Sequence, residues 1–252
     1  MNVFIRLPVL SASAKVQLDP TKISTLTSKA FAPAGAYAYW LFQDRELVSD
    51  IATNVDISSS EEIVYKKNEI KVNLADNKGL KTSLSDKFSN TFTVTSVVRL
   101  NMSENSPDIL CILGNITDVK INNVIHNNGG GFFTFHNKVY CGIRGFTNII
   151  PSSVLQGDID VYLAYSVDKL TKRYSFLATT LDGVELLSNN GVGQSIYAES
   201  ETPIGLGTAN FSGGGSGQGN AYFKELAIYN TYKTLDDLRS DYSLSKSRLL
   251  GT

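Results

Sequence analysis

The sequence predicts an all-β fold, an antiparallel β-sandwich of the jelly-roll kind closed by one short C-terminal helix. Three observations carry this. Many short runs rich in Val, Ile, Thr and aromatic residues are punctuated by Asn, Asp and Gly turns, as in sandwiches and jelly rolls. No segment before the chain end sustains a 3.6-residue apolar period. Asp182-Gly183, set between apolar runs, is the strongest hairpin signal, because a type I′ turn needs positive φ at both central residues.

In chain order, residues 1–35 read as a separate piece and 36–252 as the domain. Val3, Ile5 and Leu7 alternate with other residues as an edge strand does, and Ala32-Pro-Ala-Gly35 marks a break. Two readings of this piece stay open: a first strand and arm packed on the sandwich, or an arm that anchors the chain to a larger assembly. Residues 36–42 then form an aromatic strand in which Trp40 belongs to the core. Short strands follow at 63–65, 70–74 and 79–84. Residues 90–100, dense in Thr and Val, form the clearest strand. A turn at 101–107 leads to a buried strand at 108–114. Ile121, Val124 and Ile125 lead into the loop 127–130, and residues 131–136 and 138–144 pair as a hairpin through Asn137.

A strand at 160–166 precedes the closing quarter. There the Asp182-Gly183 hairpin is followed by a small-residue strand at 203–208, a glycine run at 213–219 and a long strand at 221–230. Thr234 caps a helix over 234–242, with Asp237 answering it in a capping-box variant, and Leu235, Leu238 and Tyr242 share its apolar face. Turn geometry accounts for Asp182, and an outward strand position for Glu225.

This order of hairpin, small-residue strand, long strand and capped helix resembles the end of a laminin-G-like domain of the concanavalin A-like lectin superfamily. The aromatic strand at 36–42, followed by loops bearing Asp44 and Asp50, resembles the same pattern. The resemblance covers Ala36 to Tyr242. It implies the sandwich fold, and it implies calcium binding through Asp and Asn oxygens as a possibility, for which Asp44, Asp50, Asp118 and Asn127 are the candidates.

Composition narrows the partners. Lys+Arg number 23 against 24 Asp+Glu, a formal net charge of −1, which argues against nucleic acid as a partner. No stretch approaches the roughly 20 apolar residues that span a bilayer, so no membrane insertion is expected. Arg6 and Pro8 interrupt the apolar start, so no secretory leader is expected either. Cys111 and Cys141 read as buried free thiols.

The chemical motifs are sparse. Retaining glycosidases of the same superfamily carry a Glu-x-Asp-x-x-Glu strand; Asp158-Ile-Asp160 has two carboxylates at strand parity but no glutamate. His126 and His136 accompany no nucleophile elbow or zinc helix. The glycine run lacks the Lys-Ser/Thr and the helix of a phosphate loop, so it reads as a surface connection. These observations lead to the expectation that the chain is not an enzyme and has no cofactor, a structural calcium aside.

Three functions follow. The expected one is a structural virion protein of a bacteriophage (tail, baseplate or capsid surface), assembled in the host cytoplasm as a homo-oligomer with other virion proteins, and contacting host-surface glycans. The alternative is a stand-alone carbohydrate-binding module, and the third a diverged glycan hydrolase. The expected glycan site is the hairpin cluster Asn127, Asn128, His136, Tyr140 and Arg144, which joins an aromatic face to amide and charged donors.

Overall fold

A computed structural model gives the fold and describes residues 32–42, 55–59, 62–66, 68–74, 78–101, 110–121, 124–135, 138–143, 147–149, 158–207 and 219–250. Of the expected arm at 1–35, residues 1–31 lie outside the described residues, as do residues 213–218 of the glycine run at 213–219.

Two antiparallel sheets face each other. The larger has eight strands, namely β1 (Ala38–Leu41), β3 (Val64–Lys66), β4 (Glu69–Asn73), β6 (Thr91–Asn101), β13 (Asp158–Asp168), β14 (Arg173–Thr180), β15 (Glu185–Val192) and β17 (Asn220–Tyr229). Their order is β15-β14-β13-β6-β17-β4-β3, with β1 also on β17. The facing sheet has seven strands, β2 (Ile57–Ser59), β5 (Leu80–Thr82), β7 (Leu110–Gly114), β10 (Gly130–Phe135), β11 (Lys138–Ile143), β12 (Thr147–Ile149) and β16 (Gly205–Leu206), in the order β12-β11-β10-β7-β16-β5-β2. β8 (Thr117–Ile121) and β9 (Val124–Asn128) form a separate ribbon, and a helix, α1 (Leu235–Leu250), ends the fold.

Strand alternation builds the core. On β6, Phe92, Val94, Val98 and Leu100 point inward, and on β13 Val161, Leu163, Tyr165 and Val167 do the same. They meet Ile112, Leu113, Phe132 and Cys141 of the facing sheet. Trp40 is buried among them as expected. Phe132 and Phe176 meet edge to face at 5.8 Å across the sandwich. Each such ring removes roughly 150–250 Å² from water, about 4–6 kcal/mol of transfer free energy as an upper bound. Both cysteines are buried free thiols, and burial pushes the Cys141 thiol well up. At Gly131 (φ +155°) a Cβ would stand 2.1 Å from the Leu113 carbonyl oxygen, so only glycine permits this approach of β10 to β7.

The closing quarter departs from expectation in three places. Gly183 has φ +107°, but Asp182 is not in the left-handed region, so the turn is not type I′. Gly183 N instead donates to Thr180 O at 3.0 Å, which centres the turn on Leu181-Asp182. The helix begins as predicted: Thr234 N donates to Asp237 Oδ2 at 2.9 Å and Asp237 N to Thr234 Oγ1 at 3.3 Å. It runs on to Leu250, however, eight residues past Tyr242, because its second half binds the sheet.

Glu225 is the third. A bulge in β17 between Phe223 and Glu225 leaves Lys224 as the extra residue, so Lys224 and Glu225 both face away from the sandwich core. That face is covered by α1, and Glu225 is fully buried rather than solvent-facing. It accepts hydrogen bonds from Arg248 Nη2 (2.9 Å), Ser245 Oγ (2.5 Å) and Tyr39 OH (3.2 Å). Around it, Leu238, Leu235 and Tyr242 pack on Val97, Tyr162, Ala164 and Leu177.

A second buried carboxylate, Asp86, lies in the turn before β6. Asp86 accepts from Tyr197 OH (2.7 Å) and Ser200 N (3.1 Å), which ties the segment 193–204 to the sandwich. Lys169 Nζ donates to the Asp86 carbonyl at 2.5 Å and pairs with Glu199 at 2.6 Å. Burial raises the Asp86 pKa above its ordinary value, against the lowering effect of its donors.

Candidate functional site

The expected glycan hairpin is present as β10 and β11, with Phe133 and Tyr140 directly opposite. Alternation sends Phe132, Val139 and Cys141 to the core, and Phe133 and Tyr140 to the outer face of the seven-stranded sheet. Their rings stack with centroids 5.3 Å apart and planes 8° from parallel. Phe133 also packs on Cys111 and Ile116. The pair therefore forms a half-buried aromatic ridge.

Of the rest of the expected cluster, the structure describes the side chain of Asn128 alone. Asn128 ends β9, and a bend at Gly129 (φ +78°) separates it from β10 and Phe133. Its Nδ2 donates to Glu199 O at 3.1 Å, beside Gly129 N donating to Ala198 O at 2.8 Å, so it holds the 193–204 segment. His136 and Arg144 lie outside the described residues, as do Asp44 and Asp50. Asp118 and Asn127 are Cα partners across β8 and β9. Among the described residues no group of three or more His, Cys, Asp or Glu is assembled to hold a metal ion.

A cavity of about 540 Å³ lies elsewhere, at one end of the eight-stranded sheet. Three pieces of chain frame it: the start of β13, the β14–β15 turn and the last residue of α1. The sequence Asp158-Ile159-Asp160 puts both carboxylates on the outer face, while Ile159 packs against the core. Leu181 N donates to Asp160 O at 2.9 Å, which holds the turn on β13. Thr180 Oγ1 accepts from Val184 N at 2.9 Å and donates to Asp182, and Tyr242 OH donates to Thr180 O at 3.0 Å. Asp182 thus joins Asp158 and Asp160 at the cavity wall.

The wall is of two kinds. Leu181, Val184, Leu186 and Leu250 give it apolar surface. The carboxylates give it acceptors. Asp160 Oδ2 pairs with Lys224 Nζ at 2.7 Å, while Oδ1 is shielded from water with no hydrogen-bond partner among the described residues. Asp158, half-exposed, stands 3.6 Å from Arg99, whose guanidinium also binds Glu69 and lies 4.4 Å over the Tyr222 ring. Acceptors beside apolar surface suit a ligand with hydroxyl or ammonium donors and a C–H face.

No family model matches the chain, and no curated protein matches it by sequence. Solved structures match its fold. Trypanosoma rangeli sialidase in complex with sialic acid superposes with a TM-score of 0.57 at 11% identity, over 87% of this chain and 34% of that chain. The same sialidase as a difluorosialic acid covalent intermediate gives 0.60 at 13% identity, over the same shares. The ligand-binding domain of botulinum neurotoxin serotype D, in complex with N-acetylneuraminic acid, gives 0.54 at 8% identity, over 87% of this chain and 52% of that chain.

The chain is an antiparallel β-sandwich. At these identities the likeness is one of fold, and it reaches neither the laminin-G-like family nor a bacteriophage particle. The chain spans about a third of the sialidases and half of the toxin chain. These likenesses also correct one expectation. That the chain is not an enzyme rested on a missing Glu-x-Asp-x-x-Glu strand, yet the matched structures include sialidases. One absent carboxylate motif excludes one catalytic arrangement and no more; the expectation is withdrawn.

Proposed function

We propose that the chain binds glycan, with the Asp158–Asp160–Asp182 cavity as its site. The observation that carries this is the wall itself: three carboxylates and an apolar surface around about 540 Å³, within the size range of small-ligand pockets. Sugar-bound structures among the fold's neighbours support a sugar as the ligand by analogy of fold. A glycan array probed with the wild-type chain and with Asp160→Asn tests it. The variant is expected to lose about tenfold or more in affinity, the scale of a charge-assisted hydrogen bond. An array without any bound glycan overturns the proposal.

A second reading places the sugar on the Phe133–Tyr140 ridge, favoured by the two stacked rings on an outer sheet face. Binding that survives Asp160→Asn and disappears in Tyr140→Ala assigns it there. Reducing-end analysis of bacterial surface polysaccharide after incubation with the chain tests for cleavage. Membership of a bacteriophage particle, with virion partners and homo-oligomeric assembly, rests on the sequence-based expectations alone, and particle proteomics tests it.

A further inference from the structure

We propose that the end of the sandwich opposite the cavity docks on the surface of a bilayer that carries anionic lipid. Leu170, Val192 and Ile196 are 74%, 67% and 79% exposed, the three most exposed large apolar side chains among the described residues. Three neighbouring segments bring them to one end of the eight-stranded sheet: the β13–β14 turn, the end of β15 and the stretch that follows it. Val192 lies opposite Arg173, and Gly193 N donates to Lys172 O at 2.7 Å, which holds the end of β15 on the turn. Lys169 Nζ, next to Leu170, pairs with Glu199 at 2.6 Å and stands 5.7 Å from the ring of Tyr197, next to Ile196. Leu170 N and Thr171 N donate to Asp168 Oδ1 at 3.0 and 3.1 Å, so the turn is ordered with Leu170 out in solvent.

Exposed aliphatic side chains gathered at one place mark a protein or a membrane contact, and the charges around these three favour the membrane. Each carboxylate of 168–173 and 192–201 already has its donors: Asp168 the two N–H groups and Thr171 Oγ1, Glu199 Lys169, and Glu201 Lys87. Lys172 and the exposed Arg173 make no ion pair among the described residues, Arg173 lying over the Tyr232 ring at 4.8 Å. An anionic leaflet complements both kinds of group. Its acyl boundary takes the aliphatic side chains, and its headgroups take the two cations. At this exposure the side chains project, which suits a surface that deforms around them. No helix among the described residues is long and apolar enough to cross a membrane, so the contact stays at the headgroup boundary and differs from the spanning insertion that the sequence argues against. β13 runs from Asp158 at the cavity to Asp168 at this turn, roughly 34 Å at 3.4 Å per residue, so docking here leaves the cavity clear of the bilayer.

Cosedimentation of the full chain with vesicles of equimolar phosphatidylcholine and phosphatidylserine, and with vesicles of phosphatidylcholine alone, tests this. The mixed vesicles are expected to bind about fivefold or more tighter. Leu170→Ser/Ile196→Ser is expected to weaken that binding about tenfold or more while keeping the wild-type thermal transition, since both positions are exposed. Lys172→Asn, which suits the φ of +61° at this position, is expected to weaken it about fivefold and to flatten its salt dependence. Asp160→Asn, at the far end of the sheet, is expected to bind vesicles as the wild type does. Absence of binding to both vesicles overturns the inference, as does equal binding to both, or binding that the double substitution leaves unchanged. Self-association in sedimentation velocity that the double substitution abolishes, without vesicle binding, also overturns it and gives the patch to a second copy of the chain. None of these outcomes touches the glycan reading, which the array tests separately.

Discussion

Glu225 of β17 and Arg248 of α1 form an ion pair at 2.9 Å in which the carboxylate is wholly buried. Ser245 and Tyr39 complete its shell. Removing one member of such a pair leaves an uncompensated buried charge, which is far worse than removing both. Arg248→Ala is therefore expected to destabilise the fold by about 3–5 kcal/mol in urea unfolding. Glu225→Leu/Arg248→Met is expected to recover most of that loss. A double variant no better than the single one contradicts this account of the helix.

Asp86 supplies a pH signature. Burial raises its pKa above the ordinary 3.8, so the folded state binds its proton more tightly than the unfolded state does. The sign follows: its contribution to stability is fully present below pH 3.8 and is lost as pH rises through the raised value. Relative to Asp86→Asn, the wild type is expected to lose ground between those limits. Unfolding free energies of both proteins against pH check it, and a difference that does not change with pH contradicts it.

Two glycines separate conformational strain from steric overlap. Gly131→Ala places a Cβ 2.1 Å from Leu113 O between two paired strands, and is expected to cost at least about 3 kcal/mol or prevent folding. Gly35→Ala has φ +76° but nothing within 4 Å, and is expected to cost about 1 kcal/mol. Thermal unfolding of both variants measures the difference.

The Phe133–Tyr140 stack is worth about 0.5–1.5 kcal/mol beyond its buried area. A double-mutant cycle with Phe133→Leu and Tyr140→Leu is expected to return a coupling in that range. A coupling near zero means the rings do not support each other.

Periodicity in the sequence revealed most of the sandwich. The 90–100 strand, the aromatic strand around Trp40, the capped helix start and the buried cysteines all follow from local rules. What local rules cannot see is what covers a face. Alternation turned Glu225 outward correctly, but α1 returns over that face from 20 residues further on. The helix outran its apolar period because Ser245 and Arg248 are held by Glu225, a tertiary contact without a sequence period.

The cavity was half legible. Asp158-Ile-Asp160 was visible as a strand pair of carboxylates and Asp182 as a turn residue, but as separate features. The hairpin turn at 169–172 carries positive φ on Lys172 rather than on a glycine, so no turn signal announced it. That turn sets the register Val161↔Thr180, which carries 158–160 to the side of 181–183. The structural role of Asn128 was equally hidden, since its amide holds the 193–204 segment, whose path no local pattern reveals.

The most direct test of the central claim is an amide chemical-shift titration of the isotope-labelled chain with the glycan bound most tightly on the array. The account predicts that the shifted amides cluster at 158–160 and 180–186, and that Asp160→Asn abolishes the cluster. Shifts centred on 132–134 and 139–141 around Tyr140, or no shifts at all, would contradict it.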